Sequence, residues 1–548
     1  MNKKNNNVGV LGFIAIIIIG VLCAVFFILK NVGHKDLKTL VKKVDITTAT
    51  PEKAPVSLDD NSLYDELPEI NKYPLGVVGK GQIDIEIFSS PEKAETGSDG
   101  WLIECAERFN NENHTTSDGK TVSISVRDVS SGLAADYIIS GKYLPDLYTP
   151  SNELWGEYIN FQSKGRVDML ESKLVGNTAG FLVKNNTNYS DYTQILDDIV
   201  SGKLNVGYTN PQVSSAGMNL LLTILLGADA NDITSDTAKT AFASFQNNIP
   251  YVAYNTVQMK SSAALGSLDG MITEYQSYIS DKNLQKNYKF IPYGIRHDNP
   301  LYVVDKNFKT DEELEAIDII KEYLLNNTSQ SLATKYGFNQ NEDYESVYSI
   351  TGTEVAQALK VYKSEKDSGK DIIAVFVADC SGSMSGSPIM ELKDSLTNGM
   401  GYINDNNYVG FVSYSNDVTI ELPIAQFDLN QKAYFQGAIN SLVVDGGTST
   451  YEALCVGMDM IEKAKVDHPD AKCMLFLLSD GRANGWYDLS TIKYALEETK
   501  IPVYTIAYGE GADKTELQNL SNINEAASIS ADSDDIIYKI KSLFNAQL

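Results

Sequence analysis

The organisation of the chain follows from the run Ile372-Ile373-Ala374-Val375-Phe376-Val377-Ala378-Asp379-Cys380-Ser381-Gly382-Ser383-Met384, where an apolar segment stops at a carboxylate. Every position from 372 to 378 is apolar, instead of every second one, which is typical of a parallel strand covered on both faces. Asp379 then stands at the carboxyl end of that strand, where open α/β sheets bind ligands. We therefore expect a binding site at this edge of a sheet.

Two later segments are predicted to reach the same edge. Gly446-Gly447-Thr448 precedes a helical pattern, and the buried strand Met474–Leu478 ends in Ser479-Asp480-Gly481. Ser387 can cap and Pro388 can open a helix directly after the first loop. Two carboxylates and several hydroxyls are thus expected to converge. Such an all-oxygen set suits Mg²⁺ or Mn²⁺.

These residues resemble the von Willebrand factor type A domain and its metal-ion-dependent adhesion site (MIDAS), from Asp371 to about Leu543. The resemblance implies a Rossmann-like, doubly wound domain over residues 371–548 that grips a protein partner, with an Asp or Glu of the partner completing the metal coordination. The implied roles are direct coordination by the two serines and direct or water-mediated coordination by the other three residues. The alternative is a polar turn with a helix cap. The metal-ligand candidates are Asp379, Ser381, Ser383, Thr448 and Asp480.

Composition excludes some classes of function. The 548 residues include 45 Lys+Arg and 72 Asp+Glu, a net charge of −27, so the chain should repel a phosphate backbone and we expect no nucleic-acid binding. The five cysteines show neither zinc nor redox spacing, and their disulfide state is left open. No nucleophile–base set and no phosphate loop is present, so we expect a protein that is not an enzyme.

The N-terminus predicts a single-pass membrane protein. Residues 1–7 form a short cytoplasmic tail, and Val8–Leu29 is uncharged and long enough to cross a bilayer as a signal anchor. Lysines after the anchor oppose an extracytoplasmic placement of the bulk, but large domains translocate with little regard to charge, so we expect both domains outside. Residues 30–80 are interpreted as a juxtamembrane segment and polar spacer.

Residues 81–352 alternate strand and helix patterns and predict a second α/β domain. The order of its pieces resembles the type 2 periplasmic-binding fold, which implies two lobes and a cleft for a small polar solute or oxyanion. Hydroxyl and amide clusters at predicted helix starts are candidates for that role, with ordinary capping as the alternative. A linker helix is expected within 353–370. The solute-binding candidates are Ser89, Ser90, Ser130, Ser131, Asn210, Ser214 and Ser215.

Two functional hypotheses follow. The chain resembles bacterial proteins that join a substrate-binding domain to a von Willebrand A domain, which implies a membrane-anchored, extracytoplasmic binding protein with a metal-dependent partner. In the alternative, the first domain captures the primary solute or oxyanion and the metal domain docks it to a membrane complex.

Overall fold

The computed structural model describes residues 36–56, 63–95, 100–250, 252–253, 259, 268–509, 511–524, 526, 528–530, 540 and 543–544. Within these segments no helix has both the length and the apolar character needed to cross a bilayer. The predicted tail of residues 1–7 and the predicted anchor Val8–Leu29 lie outside the described residues.

Strands and helices alternate along most of the chain, as an α/β organisation requires. The strands are β1 Ile46–Thr48, β2 Leu75–Val77, β3 Ile83–Ser89, β4 Val122–Asp128, β5 Leu147–Thr149, β6 Val167–Glu171, β7 Thr178–Lys184, β8 Val206–Thr209, β9 Val252–Ala253, β10 Gly270–Glu274, β11 Tyr288–Arg296, β12 Leu301–Val304, β13 Ile372–Asp379, β14 Tyr408–Tyr414, β15 Val418–Gln426, β16 Lys472–Ser479, β17 Val503–Ala507 and β18 Ser528–Ser530. The helices are α1 Leu37–Val41, α2 Leu63–Glu66, α3 Pro91–Ala94, α4 Trp101–Asn111, α5 Ser131–Ser140, α6 Leu154–Ser163, α7 Tyr192–Val200, α8 Ser215–Ala228, α9 Asp236–Asn247, α10 Tyr275–Ser280, α11 Lys282–Asn287, α12 Asp311–Leu325, α13 Asn327–Lys335, α14 Gly352–Glu365, α15 Ser387–Gly399, α16 Leu429–Ser441, α17 Thr450–Ala464, α18 Leu489–Thr499 and α19 Lys514–Asn522.

The first domain has two lobes, each built on its own sheet. One sheet has the strand order β2-β4-β3-β5-β12-β6, and the other has the order β11-β7-β10-β8-β9. The chain passes from the first lobe to the second between β6 and β7 and returns between β11 and β12. The ends of the parallel strands β3 and β5 therefore face the junction between the lobes, where the predicted hydroxyl clusters lie.

The second domain is organised around β13, which is buried at all eight positions and pairs in parallel with β14 and β16. Alternate side chains of β13 serve two separate cores. Phe376 packs with residues of α15 and α16 on one face, and Val375 packs with residues of α17 and α18 on the other. The uninterrupted apolar run follows from this burial on both faces, as the sequence pattern predicts. The carboxyl end of β13 is thereby held rigidly.

The interpretation of residues 30–80 as a juxtamembrane segment and polar spacer is wrong for the described part of that segment, which packs on the second domain and on the first. Strand β1 adds to the edge of the second domain's sheet through parallel pairing with β15, with Ile46 opposite Val418. Helix α1 packs against α17, and Tyr487 donates a hydrogen bond to the Leu40 carbonyl at 2.9 Å. Low periodicity concealed this, because a short edge strand needs no alternating pattern when its pairing is made by backbone groups.

The predicted boundaries of the first domain also shift. Strand β2 pairs with β4, so the domain's sheet begins before residue 81. Helix α14, predicted as a linker, begins with a capping box at Thr351 and packs against α6, α8 and α9 of the first domain. Tyr362 of this helix is fully buried beside Phe242. The described part of the chain thus runs from the edge of the second domain through the first domain and back to the second.

Substitution of Gly437 by alanine is expected to release residues 36–56, the N-terminal segment, from the second domain. A Cβ at this position of α16 would overlap the Glu52 carbonyl oxygen, next to the hydrogen bond that Ala54 donates to Ala433 at 3.0 Å. Alanine normally favours a helix over glycine by about 1 kcal/mol, so any destabilisation reports the overlap. We expect a net loss of about 1–3 kcal/mol in thermal denaturation and faster proteolysis within residues 36–56.

The matched control is Gly227→Ala in α8, where the added Cβ would lie 3.4 Å from the Tyr348 hydroxyl, an ordinary contact. That variant should keep or raise the thermal midpoint. A Gly437→Ala protein that behaves like the control would contradict the docking of the segment.

Candidate functional site

Asp379 ends β13 with a fully buried side chain whose hydrogen bonds orient it toward the following loop. Its Oδ1 accepts from the Ser381 backbone N–H at 2.9 Å, and its Oδ2 accepts from the Ser479 hydroxyl at 2.6 Å. The Ser381 and Ser383 hydroxyls lie 3.0 Å apart. The loop therefore presents a carboxylate and two hydroxyls within a few ångströms.

The two distant segments reach this loop, as the sequence analysis expects. Gly382 donates its N–H to the Gly446 carbonyl at 3.1 Å, which places the loop that carries Thr448 beside the first loop. The backbone N–H groups of Asn484 and Gly485 donate to the Thr448 carbonyl at 3.0 and 3.1 Å. The loop after β16 is thereby joined to Thr448. The structure thus brings the loops of all five predicted metal ligands to one edge of the sheet.

Three residues that the sequence analysis did not single out support the site. Tyr414 donates its hydroxyl to Asp379 Oδ2 at 3.1 Å, from the adjacent strand β14. Asn416 accepts from the Gly447 N–H at 2.8 Å, and the side chain of Asn484 accepts from the Thr448 N–H at 2.6 Å. Asn484 lies four residues after Asp480, but a lone asparagine in a loop carries no pattern that identifies it as a loop support. Only the tertiary contacts do.

The electrostatics of the edge favour a bound cation. Burial raises the pKa of Asp379, and the neighbouring Asp480 carboxylate raises it further. Asp480 is only 6% exposed, and within the described part of the chain no basic side chain forms a salt bridge with either aspartate. Two buried carboxylates without a counter-ion are unfavourable unless a cation joins them. The donor set therefore fits a hard divalent ion.

Cysteine and zinc chemistry are separate from this site. Cys380 is only 4% exposed, and burial raises the pKa of its thiol to about 12, so the thiol stays protonated. The four described cysteines are free, and within the described segments His, Cys, Asp and Glu form no cluster of three of the kind that zinc sites use.

The predicted solute-binding residues gather at the junction between the two lobes of the first domain, where most are buried. Ser89, Ser90, Ser131, Asn210 and Ser215 are each at most 5% exposed, whereas Ser130 and Ser214 are half-buried. Their polar groups are largely occupied by hydrogen bonds within the protein.

The lobes themselves are in direct contact at this junction. Gly132 donates its N–H to the Val213 carbonyl at 3.3 Å, across the junction. Trp155 of the first lobe donates to the Ser215 hydroxyl at 3.0 Å. These contacts describe a closed arrangement of the two lobes.

The basic residue that sequence reasoning did not find at this junction is Lys93. Its side chain is fully buried, pairs with Glu92 at 3.2 Å and donates to Asn299 Oδ1 at 2.6 Å. Burial lowers the pKa of the Lys93 ammonium, and the negative charge of Glu92 acts in the opposite direction. Its position three residues after Ser90 was the available signal, but a lysine near the start of a helix usually points into solvent.

A second buried pair lies beside Lys93. His297 Nδ1 is 2.7 Å from Glu274 Oε1, and the side-chain amides of Asn152 and Asn219 lie 3.0 and 3.1 Å from Nε2. Because both amide nitrogens lie toward Nε2, this arrangement favours Nε2 as the acceptor and a proton on Nδ1, facing Glu274. Burial raises the pKa of Glu274, and His297 opposes that shift. The junction therefore has a charged, fully enclosed interior.

Three buried polar atoms of the first domain lack a hydrogen-bond partner in the protein: Thr149 Oγ1, Asn152 Oδ1 and Thr273 Oγ1. The Ser90 hydroxyl donates to the Thr149 carbonyl at 3.5 Å, and Thr273 directly precedes Glu274 in β10. An unpartnered buried polar atom costs about 1–3 kcal/mol, so these positions suit a small polar ligand or ordered water.

Asp128→Asn is expected to stabilise the protein more at pH 8 than at pH 5. Burial raises the pKa of Asp128 to about 7, and Glu92 and Glu95 nearby add to the shift. The carboxyl of the unfolded chain ionises near pH 4, so the folded state loses stability as the pH rises from about 4 to about 7. Asparagine removes this loss, and the gain should grow by roughly 1–3 kcal/mol between the two pH values.

Chemical denaturation of both proteins at the two pH values measures the effect. Asp168→Asn, at an exposed position of β6, removes one carboxylate from the same domain and serves as the control for net charge. A gain that is equal at both pH values would show that Asp128 titrates normally.

Comparisons with known proteins support the presence of both domains. The family model of the von Willebrand factor type A domain matches residues 374–545, and that of the bacterial extracellular solute-binding protein matches residues 94–339. Inter-alpha-trypsin inhibitor heavy chain H3 from Bos taurus is 29% identical over 173 residues, which are 29% of this chain and 19% of that protein. The chain therefore spans about a fifth of the length of this relative.

Two solved structures are similar to separate parts of the chain. A von Willebrand factor type A protein from Catenulispora acidiphila has 18% identity and a TM-score of 0.30, covering 32% of this chain and 42% of its own. The sulfate-binding protein SubI from Mycobacterium tuberculosis has 16% identity and a TM-score of 0.36, covering 52% of this chain and 92% of its own. From the two family matches, the chain joins a bacterial extracellular solute-binding domain to a von Willebrand factor type A domain.

Proposed function

We propose that this chain is a membrane-anchored, extracytoplasmic binding protein that engages a protein partner through a divalent metal in its type A domain. The observation that carries the proposal is the pair of buried aspartates, Asp379 and Asp480, that lie at one sheet edge without a basic partner among the described residues. Binding rather than catalysis is the proposed activity, because the edge offers metal ligands and neither a nucleophile nor a general base in a cleft.

The residues that would hold Mg²⁺ or Mn²⁺ are the five predicted ones. Ser381 and Ser383 are proposed to coordinate directly, and Asp379, Thr448 and Asp480 directly or through water. Hydrogen bonds from Ser479 and Tyr414 hold the Asp379 carboxylate in one orientation, so the site is arranged before an ion binds. The ion would supply a positively charged coordination position that attracts a carboxylate oxygen of the partner.

Calorimetric titration of the full chain with a short glycine-framed peptide that contains one aspartate tests this function. We expect binding in Mg²⁺ or Mn²⁺ and none in chelator, and an asparagine version of the peptide should not bind. Equal binding of the two peptides, or binding that ignores the metal, would refute the proposal. The anchor at Val8–Leu29 is tested separately by fractionation of the full chain with membranes.

A second function, capture of a small polar solute or oxyanion by the first domain, is favoured by the three unpartnered polar atoms and the buried Lys93 at the lobe junction. In this alternative the type A domain docks the protein to a membrane complex. A thermal shift with small oxyanions that persists in an Asp379→Ala protein would support it, because a ligand of the native state stabilises by mass action.

A further inference from the structure

A pocket of about 530 Å³ opens next to the metal-ligand loops. Its wall combines four parts of the chain: the N-terminal segment at Lys43–Asp45, the β14–β15 turn, the start of α17 and the loop after β16. The pocket therefore depends on the docking of the N-terminal segment, which the sequence alone does not reveal. The residues used below are Lys43, Asp45, Asn416, Asp417, Glu452 and Trp486.

The pocket and the metal edge share structural supports. Asn416 lines the pocket while its side chain accepts from the Gly447 N–H at 2.8 Å, one residue before Thr448. Trp486 lies two residues after Asn484, whose side chain accepts from the Thr448 N–H. A partner chain bound at the metal edge would thus pass within a few residues of the pocket.

The side chain of Glu452 indicates which kind of chemical group this pocket binds. Glu452 is only 5% exposed, and its Oε1 accepts from the Tyr487 N–H at 2.8 Å. Its second oxygen, Oε2, is buried without any hydrogen-bond partner. A buried carboxylate oxygen in this state calls for a donor, and a cationic donor satisfies both its hydrogen bonding and its charge.

The rest of the lining favours an organic cation over a metal. The lining residues include three carboxylates, those of Asp45, Asp417 and Glu452, and one exposed lysine, Lys43. No group of three metal-binding side chains forms among the described residues, so these carboxylates do not converge on one point. Trp486 is 96% exposed at the pocket, and an indole face binds guanidinium or ammonium groups.

We infer that this pocket binds a basic side chain, with its guanidinium or ammonium group between the indole of Trp486 and the carboxylate of Glu452. Resting on the proposed function, the inference assigns that side chain to the same partner that supplies the carboxylate to the metal edge. The partner segment would then carry an acidic residue and a basic residue a few positions apart. Recognition of both would select against purely acidic chains.

Tryptophan fluorescence provides a direct test that needs no metal. Trp101 and Trp155 are at most 1% exposed, so acrylamide quenching in the full chain reports mainly on Trp486. N-acetyl-arginine amide should protect this fluorophore from quenching, and N-acetyl-citrulline amide, its neutral isostere, should not. The protection should disappear in Glu452→Gln and persist in Glu497→Gln, a charge-matched control at an exposed position of α18. A Trp486→Ala protein verifies the source of the signal.

Peptide titrations in Mg²⁺ then connect the pocket to the partner. An arginine placed in the single-aspartate peptide should tighten binding by at least about fivefold at the optimal spacing, and only in proteins that keep Glu452 and Trp486. Failure of the arginine-free aspartate peptide would refute the proposed metal function and leave the fluorescence result standing. Equal protection by the citrulline probe, no protection by the arginine probe, or full protection in Glu452→Gln would overturn the inference.

Discussion

Replacing Asp379 by asparagine is expected to lower the affinity of the protein for Mg²⁺ by at least about 100-fold, a loss of about 2.7 kcal/mol. Asparagine keeps the shape of the side chain and an oxygen that accepts from the Ser381 N–H, but it removes the negative charge that two hydroxyl ligands cannot replace. The native protein should gain about 2.7 kcal/mol of stability when Mg²⁺ is present at 100 times its dissociation constant, and at the same concentration the variant should gain at most about 0.4 kcal/mol.

Stability without metal distinguishes a lost ligand from a damaged fold. Asp379 is buried next to Asp480 without a basic partner, so removal of its charge should leave the metal-free thermal midpoint unchanged or raise it. Calorimetry and thermal denaturation in Mg²⁺ and in chelator measure both quantities. Glu497→Gln, far from the loops on α18, controls for net charge. A variant that keeps native Mg²⁺ affinity would refute the assignment of Asp379 as a ligand.

Replacing Lys93 by methionine is expected to destabilise the first domain by about 3–5 kcal/mol. The substitution leaves the Glu92 carboxylate without its partner at 3.2 Å and removes the donor to Asn299, inside an interior that already holds Glu274. Leaving a buried charge unpaired costs far more than the pair itself contributes. The chemical denaturation midpoint of the first domain reports this loss.

A second substitution separates charge from packing. The double variant Lys93→Met with Glu92→Gln removes both charges and should recover most of the lost stability, whereas a packing defect would persist. Lys493→Met breaks an exposed pair with Glu497 at 3.8 Å and should change little. If Lys93→Met alone behaves like Lys493→Met, the lysine reaches solvent and the lobe junction is open in solution.

The two domains differ in how much their sequences reveal. In the second domain each ligand follows a strand or precedes a helix with a clear pattern, so Asp379, Thr448 and Asp480 are predicted to meet, and the structure brings their loops together. In the first domain the hydroxyl clusters lie at the lobe junction, yet they do not reveal that Lys93 is buried there. Burial of a lysine depends on residues as distant as Asn299, which no local pattern contains.

The N-terminal segment shows the same limit. Residues 44–56 show no amphipathic period. A local prediction also fails at α15: Ser387 is expected to cap this helix, but Gly386 holds the N-cap position and no side chain caps the helix. Strand β1 is short and is held by backbone pairing with β15, which depends on where the second domain presents its edge. Boundaries and edge strands are therefore set by partners far along the chain.

By itself, the sequence determined the apolar strand β13, the carboxylate at its end and the oxygen donors of the two later loops. Each of these features is a pattern of a few consecutive residues, and the apolar run follows from burial on both faces of a sheet. The tertiary structure alone decided that residues 46–48 pair with the sheet of the second domain, that Lys93 lies inside the lobe junction and that Glu452 and Trp486 line one pocket. The physical reason is separation along the chain. Contacts between residues hundreds of positions apart arise from packing of whole elements, and local composition does not encode them.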